Sequence, residues 1–304
     1  MFRFFIQLIL LSIFLTFSSN SKNYEKIIIN GNEKVIIAQE RSANNMVNIF
    51  KTNNKPKNSF TNSCEVKSES DEFFGAIRNL NIKFRAKDNA VRVLAHRFRI
   101  DLPLWAFFVA LGIESDLEIV KMIVYDIEAP ENQEMVNFLR PSIEDIRHSI
   151  TEFKADKMKQ SVALDYLARN ITYLGAPKDI RLTNDDKIKY LQKILEEEFL
   201  PHCGADFKKK AFYLGYAVNR LILDELNGND MTCDDRDDYM NKRVDPAGIL
   251  MGSLFGQCFK ALGKDMKKSI VKELKNNKNW KSENDITEII NINNISKLVK
   301  PNII

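Results

Sequence analysis

The run Asp234-Asp235-Arg236-Asp237-Asp238-Tyr239-Met240-Asn241-Lys242-Arg243-Val244-Asp245 holds the densest set of groups that could do chemistry, with eight of its twelve positions charged. Four neighbouring carboxylates could hold a hard cation such as Mg2+. Arg236, Lys242 and Arg243 are interleaved with them, however. Alternating signs favour ion pairs that fix a junction, so Asp234, Asp235, Arg236, Asp237 and Asp245 are expected to be structural. A second acidic group, Glu196-Glu197-Glu198, occupies consecutive positions of a helical pattern. Such side chains point about 100° apart and cannot converge on one ion, so the reading is a solvated face.

Other catalytic patterns are missing. The chain has three histidines (His96, His148 and His202) and four cysteines (Cys64, Cys203, Cys233 and Cys258). His202-Cys203 with Cys233 fits no standard zinc spacing, and no nucleophile–histidine pattern stands out. There is no P-loop and no GxGxxG. The expectation is therefore no catalytic residue, no metal site and no cofactor bound by this segment.

Composition sets the scale of the scaffold. At 304 residues, 44% hydrophobic and 28% charged, the chain can bury a substantial core and is not of disordered type. A net charge of +4 is too small to imply nucleic acid. Eight lysines between Lys260 and Lys281 against two acids make a local basic excess, read first as a solvated helix face and second as a phosphate-facing surface.

The positioning elements follow from pattern. Asn30-Gly31 between two β-branched runs predicts a two-residue hairpin. Polar residues 51–71 read as a loop, and 81–93 as strands. Helices are predicted over 104–111 with Gly112 as C-cap, from a capping box at Ser115-Asp116-Leu117-Glu118 through Tyr125, and over about 162–174, 186–199 and 209–226. A final long amphipathic helix follows the charged run, with Leu250, Leu254, Cys258, Leu262, Met266, Ile270 and Leu274 repeating every four residues. Residues 1–23 have the layout of a secretory signal peptide, which supports an alternative: a secreted or membrane-tethered helical binding protein.

Several segments together resemble the second-largest (β-type) subunit of multisubunit DNA-directed RNA polymerases, in its eukaryotic or large-DNA-virus form. They are Ile29 to Ala43 (INGNEKVIIAQERSA), Ala110-Leu111-Gly112-Ile113 with Tyr125-Asp126, Glu198-Phe199-Leu200-Pro201-His202, Lys210 to Tyr216 followed by Asn219-Arg220-Leu221, and the DDRD…NKRVD block. They fall in family order from about Tyr24 onward.

The resemblance implies an α+β fold in which a helix-rich lobe, 51–243, is inserted into a split mixed α/β protrusion made of 24–50 and 244–304. It implies a nucleotidyltransferase by membership, with the isolated fragment inactive because the metal- and nucleotide-binding parts lie elsewhere. Mg2+ belongs to the assembled polymerase. The implied partners are the largest subunit, other polymerase subunits, DNA and the RNA–DNA hybrid, with no membrane. The implied location is the nucleus, or a viral factory or virion. Gln39, Arg41, Lys242 and Arg243 are the candidates for nucleic-acid contact. Arg41 alternatively pairs with Glu40 or the Asp234–Asp238 cluster and pins the protrusion together.

Overall fold

The computed structural model describes residues 26–29, 32–51, 60–70, 76–85, 88–150, 158–172, 183–227, 235 and 237–276. The chain divides into two compact units: Ala43–Asn241, and a discontinuous one formed by residues up to Ser42 and from Lys242 onward. The fold is α+β.

The larger unit is built on a five-stranded antiparallel meander, β4 (Val47–Lys51), β5 (Phe60–Ser68), β6 (Arg78–Arg85), β7 (Val91–Ala95) and β8 (Leu102–Pro103), ordered in space as in sequence. Strict alternation buries Leu80, Ile82 and Phe84 on β6, and Val91, Val93 and Ala95 on β7. Among the described residues six α-helices belong to this unit: α1 (Leu104–Ala110), α2 (Asp116–Val124), α3 (Gln133–Ser149), α4 (Gln160–Arg169), α5 (Asn184–Glu197) and α6 (Phe207–Leu226). Every residue of α1 is buried, and it packs against α3, α4 and the β7–β8 end of the sheet. Phe107 of α1 lies edge-on to Phe98 at 5.3 Å and stacks on Phe199 at 5.6 Å. Gly112, at φ +99°, ends this helix as its composition suggested.

Polar clamps tie helices to sheet. Asp145 of α3 accepts from Arg85 at 2.8 Å and Arg92 at 2.7 Å, while Ser142 accepts from the Val91 N–H at 2.9 Å. On α6, Arg220 donates to the Val47 carbonyl at 3.0 Å and Tyr213 to that of Asn45 at 3.2 Å.

In the smaller unit β1 (Lys26–Ile29) pairs antiparallel with β2 (Asn32–Val35), Ile29 opposite Asn32. That register suits a two-residue connection; Asn30 and Gly31 themselves lie outside the described residues. β3 (Gln39–Ser42) pairs antiparallel with β9 (Lys242–Asp245), and α7 (Ala247–Asn276) follows β9 after one residue.

Three expectations need correction. Residues 60–68 form β5, not a loop. Its inward positions are Asn62, Cys64, Val66 and Ser68, so hydropathy hides the alternation. β4 pairs with β5, and the two compact units meet at 42/43 and 241/242. α3 was not anticipated. It carries Pro141 in its interior, which lacks the N–H that would bond the Asn137 carbonyl. Finally, Ser115 precedes α2 without a side-chain cap, and the next residue, Asp116, accepts from the Trp105 indole at 3.0 Å. The capping box forms instead at Thr183 and Asp186, opening α5.

Candidate nucleic-acid interface

The β3–β9 ribbon collects the residues that the sequence singled out. Its register sets Gln39 opposite Asp245, Glu40 opposite Val244, Arg41 opposite Arg243 and Ser42 opposite Lys242. Opposed residues share a face and successive ones alternate, so Gln39, Arg41, Arg243 and Asp245 lie on one face. Glu40, Ser42, Lys242 and Val244 lie on the other.

Each face carries a diagonal ion pair. On the first, Arg41 Nε donates to both carboxylate oxygens of Asp245, at 3.0 and 2.9 Å. On the second, Lys242 Nζ lies 2.6 Å from Glu40 Oε1. Asp245 is diagonal to Arg41, whose directly opposed neighbour is the like-charged Arg243. Arg41 is thus paired with neither Glu40 nor the upstream acidic run. Its Nη1 is buried without a hydrogen-bond partner among the described residues. Gln39 and Arg243 are exposed, and Arg243 also donates to the Lys242 carbonyl at 2.7 Å.

The acidic run has another local use. Asp235 accepts from the Asp237 N–H at 2.8 Å and Asp238 from the Met240 N–H at 3.0 Å, turns in which a carboxylate satisfies the backbone two residues on. Asn241 donates to the Asp235 carbonyl at 3.1 Å. Asp234 and Arg236 lie outside the described residues. Among the described residues no three His, Cys, Asp or Glu side chains converge to hold a metal ion.

Tertiary structure also assembles groups that spacing could not. Glu198, expected to be solvated, accepts two hydrogen bonds from Arg97, at 2.8 and 2.9 Å, and lies 3.3 Å from Arg78. The Arg97 hydrogen bonds, with Arg78 behind them, hold its carboxyl below the usual range. Ser68 Oγ lies 2.7 Å from His202 Nδ1, and Cys203 Sγ 3.4 Å from His202 Nε2. Ser68 is fully buried and burial pushes the Cys203 thiol up, so this trio packs an interior rather than presenting a nucleophile. Lys210, also fully buried, donates from Nζ to the carbonyls of Leu195 and Glu196, both at 2.6 Å, closing the C-terminal end of α5.

A family model described as RNA polymerase Rpb2, domain 2, matches residues 24–245. The chain is 34% identical over 260 residues to DNA-directed RNA polymerase II subunit 2 of Arabidopsis thaliana, covering 83% of this chain and 20% of that protein. It is 34% identical over 256 residues to the RPB2 subunit of Encephalitozoon cuniculi, with the same coverage. To the archaeal subunit Rpo2 of Saccharolobus solfataricus it is 32% identical over 242 residues, 79% of this chain and 19% of that one. The chain thus spans about a fifth of the length of these relatives. The secreted alternative rests on residues 1–23, which the structure does not describe and the family match does not reach.

Proposed function

Because the chain belongs to the Rpb2 family of second-largest RNA polymerase subunits, we propose that it forms part of one wall of the nucleic-acid cleft in a DNA-directed RNA polymerase. In this reading Ala43–Asn241 is the lobe, and the segments on either side are two pieces of the protrusion. Its partners are the largest subunit, other polymerase subunits, DNA and the RNA–DNA hybrid; its location in a eukaryotic cell is the nucleus. Nucleotide addition, with its Mg2+, belongs to other segments of the enzyme.

One observation carries the nucleic-acid role. The ribbon gathers Gln39, Arg41, Lys242 and Arg243 from positions two hundred residues apart, and Asp245 holds Arg41 by Nε while the Arg41 side chain stays 39% exposed. A guanidinium oriented through one edge is preorganised to grip a phosphate oxygen with the other, which an ammonium cannot do.

The test is Arg41→Lys in a complete polymerase carrying this segment. Weaker retention of the elongation complex in high salt, with unchanged subunit stability, supports phosphate contact. Loss of thermal stability with normal retention leaves Arg41 a structural pin and ends that reading.

A further inference from the structure

Two arginines of the larger unit grip a carboxylate side-on. Arg97 donates from Nε and Nη2 to the two oxygens of Glu198, at 2.8 and 2.9 Å. Arg85 meets Asp88 through the same pair of nitrogens. Nε–H and one Nη2 N–H share an edge of the planar guanidinium, and that edge fits both oxygens of a carboxylate at once.

Arg92 and Asp145 depart from this pattern. Arg92 Nη2 donates to Asp145 Oδ1 at 2.7 Å, but Arg85 Nη2 donates to the same oxygen at 2.8 Å. The other half of the fork is not made. Arg92 Nε and Asp145 Oδ2 are both buried with no hydrogen-bond partner among the described residues. The Asp145 side chain is only 6% exposed, a depth at which an unsatisfied charged oxygen is costly.

A third such atom belongs to the same place. Asp101 Oδ1 is buried and also has no partner among the described residues. The β7–β8 register sets Arg92 opposite Pro103, so Asp101 is diagonal to Arg92 on the same face. Its backbone is within reach too, since Arg92 Nη1 donates to the Asp101 carbonyl at 3.2 Å.

These three atoms select a ligand by their chemistry. Nε–H is a donor, and the two carboxylate oxygens are acceptors. A cation would meet the positive end of the Nε–H bond, and an anion would meet two carboxylates. A water molecule is neutral, accepts one hydrogen bond and donates two. Buried waters typically make about three, to groups otherwise left unsatisfied.

We propose that a buried water completes this helix–sheet junction, accepting from Arg92 Nε and donating to Asp145 Oδ2 and Asp101 Oδ1. The water holds the Arg92–Asp145 fork open, which lets Arg85 and Arg92 share Oδ1. It also links Asp101, at the start of β8, to Asp145 on α3, two like charges that could not bond directly. The site lies wholly within the larger unit and does not depend on any contact with nucleic acid.

A high-resolution crystal structure of the full chain tests this directly. A solvent peak within about 2.6–3.2 Å of all three atoms is expected. Arg92 Nε bonded straight to Asp145 Oδ2, with no solvent peak between, overturns the proposal. So does a peak whose anomalous scattering marks it as an ion. In solution, oxygen-17 relaxation dispersion of water counts long-lived internal waters. Asp101→Leu is close to isosteric, removes one acceptor and leaves the Arg85–Asp145 and Arg92–Asp145 bonds in place. The folded variant should show one long-lived water fewer than the native chain. Equal dispersion in the two folded chains overturns the proposal as well.

Discussion

Arg41 and Asp245 are 204 residues apart in sequence, yet Nε of one is shared between both carboxylate oxygens of the other at 3.0 and 2.9 Å. The pair closes the β3–β9 ribbon, the element through which the chain leaves the smaller unit after Ser42 and re-enters it at Lys242. It also screens Arg41 from the directly opposed Arg243.

Asp245→Asn removes that screen and leaves two guanidiniums opposed. Because Arg41 is 39% exposed, solvent limits the loss to about 1 kcal/mol or less. The effect should be local: faster hydrogen exchange at the ribbon amides, with unchanged exchange at β6 and β7. A double-mutant cycle with Arg41→Gln should return most of the loss as coupling between the two residues.

Lys210→Ala opens a cavity and orphans two carbonyls at the end of α5, for a cost of about 2–4 kcal/mol by urea unfolding. Burial lowers the Lys210 pKa to about 8. The folded chain then binds this proton less tightly than the unfolded one, so this group adds stability as pH rises from about 8 toward the ordinary lysine range. The gap in urea midpoint between the native chain and Lys210→Met should therefore be wider at about pH 9.5 than at about pH 7.

Glu198 gives stability of the opposite pH window. Its carboxyl is held below the ordinary range, chiefly by Arg97, so its contribution is complete at neutral pH and is lost as pH falls through the acid range. His96, on the same cluster, is also held down, first by burial and then by Arg78, and protonating it in acid works in the same direction. Glu198→Gln should lower Tm at neutral pH and flatten its decline below about pH 5. A variant whose acid limb stays parallel to that of the native chain would show that other carboxylates govern acid unfolding.

Gly215→Ala tests the α2–α6 crossing. The added methyl would meet the Met122 backbone at 2.6 Å, so the helices must separate, at about 1–3 kcal/mol. A fall in Tm is expected, together with weaker protection of the α2 amides. An unchanged Tm would mean that the crossing yields freely.

Salt dependence checks the nucleic-acid role at low resolution. Binding of the full chain to duplex DNA should be sequence-independent and fall steeply between about 50 and 200 mM salt, since lysines and arginines meeting phosphates release counterions. An affinity flat across that range would count against it.

Local chemistry determined much of this molecule. The β-branched runs around Asn30-Gly31, the apolar α1 ended by Gly112, the spacing in α6 and the four-residue repeat of α7 each encode an element through backbone preference and side-chain period alone. The motif order from Ile29 to Asp245 carried the family, and the same stretches supplied Gln39, Arg41, Lys242 and Arg243. What the tertiary structure decided was pairing. β5 escapes a hydropathy reading because Asn62 and Ser68 face inward, where Asp224 and His202 satisfy them from 162 and 134 residues away. Glu198 sits among acids that look solvated until Arg97 and Arg78 arrive from the far side of the fold. Asp245 closes a charged run, and only the register of β3 against β9 selects Arg41 as its partner. Helix and strand periods are short-range and survive in a one-dimensional reading. A buried polar group must instead find its partner in space, and that choice is fixed only when the chain has folded.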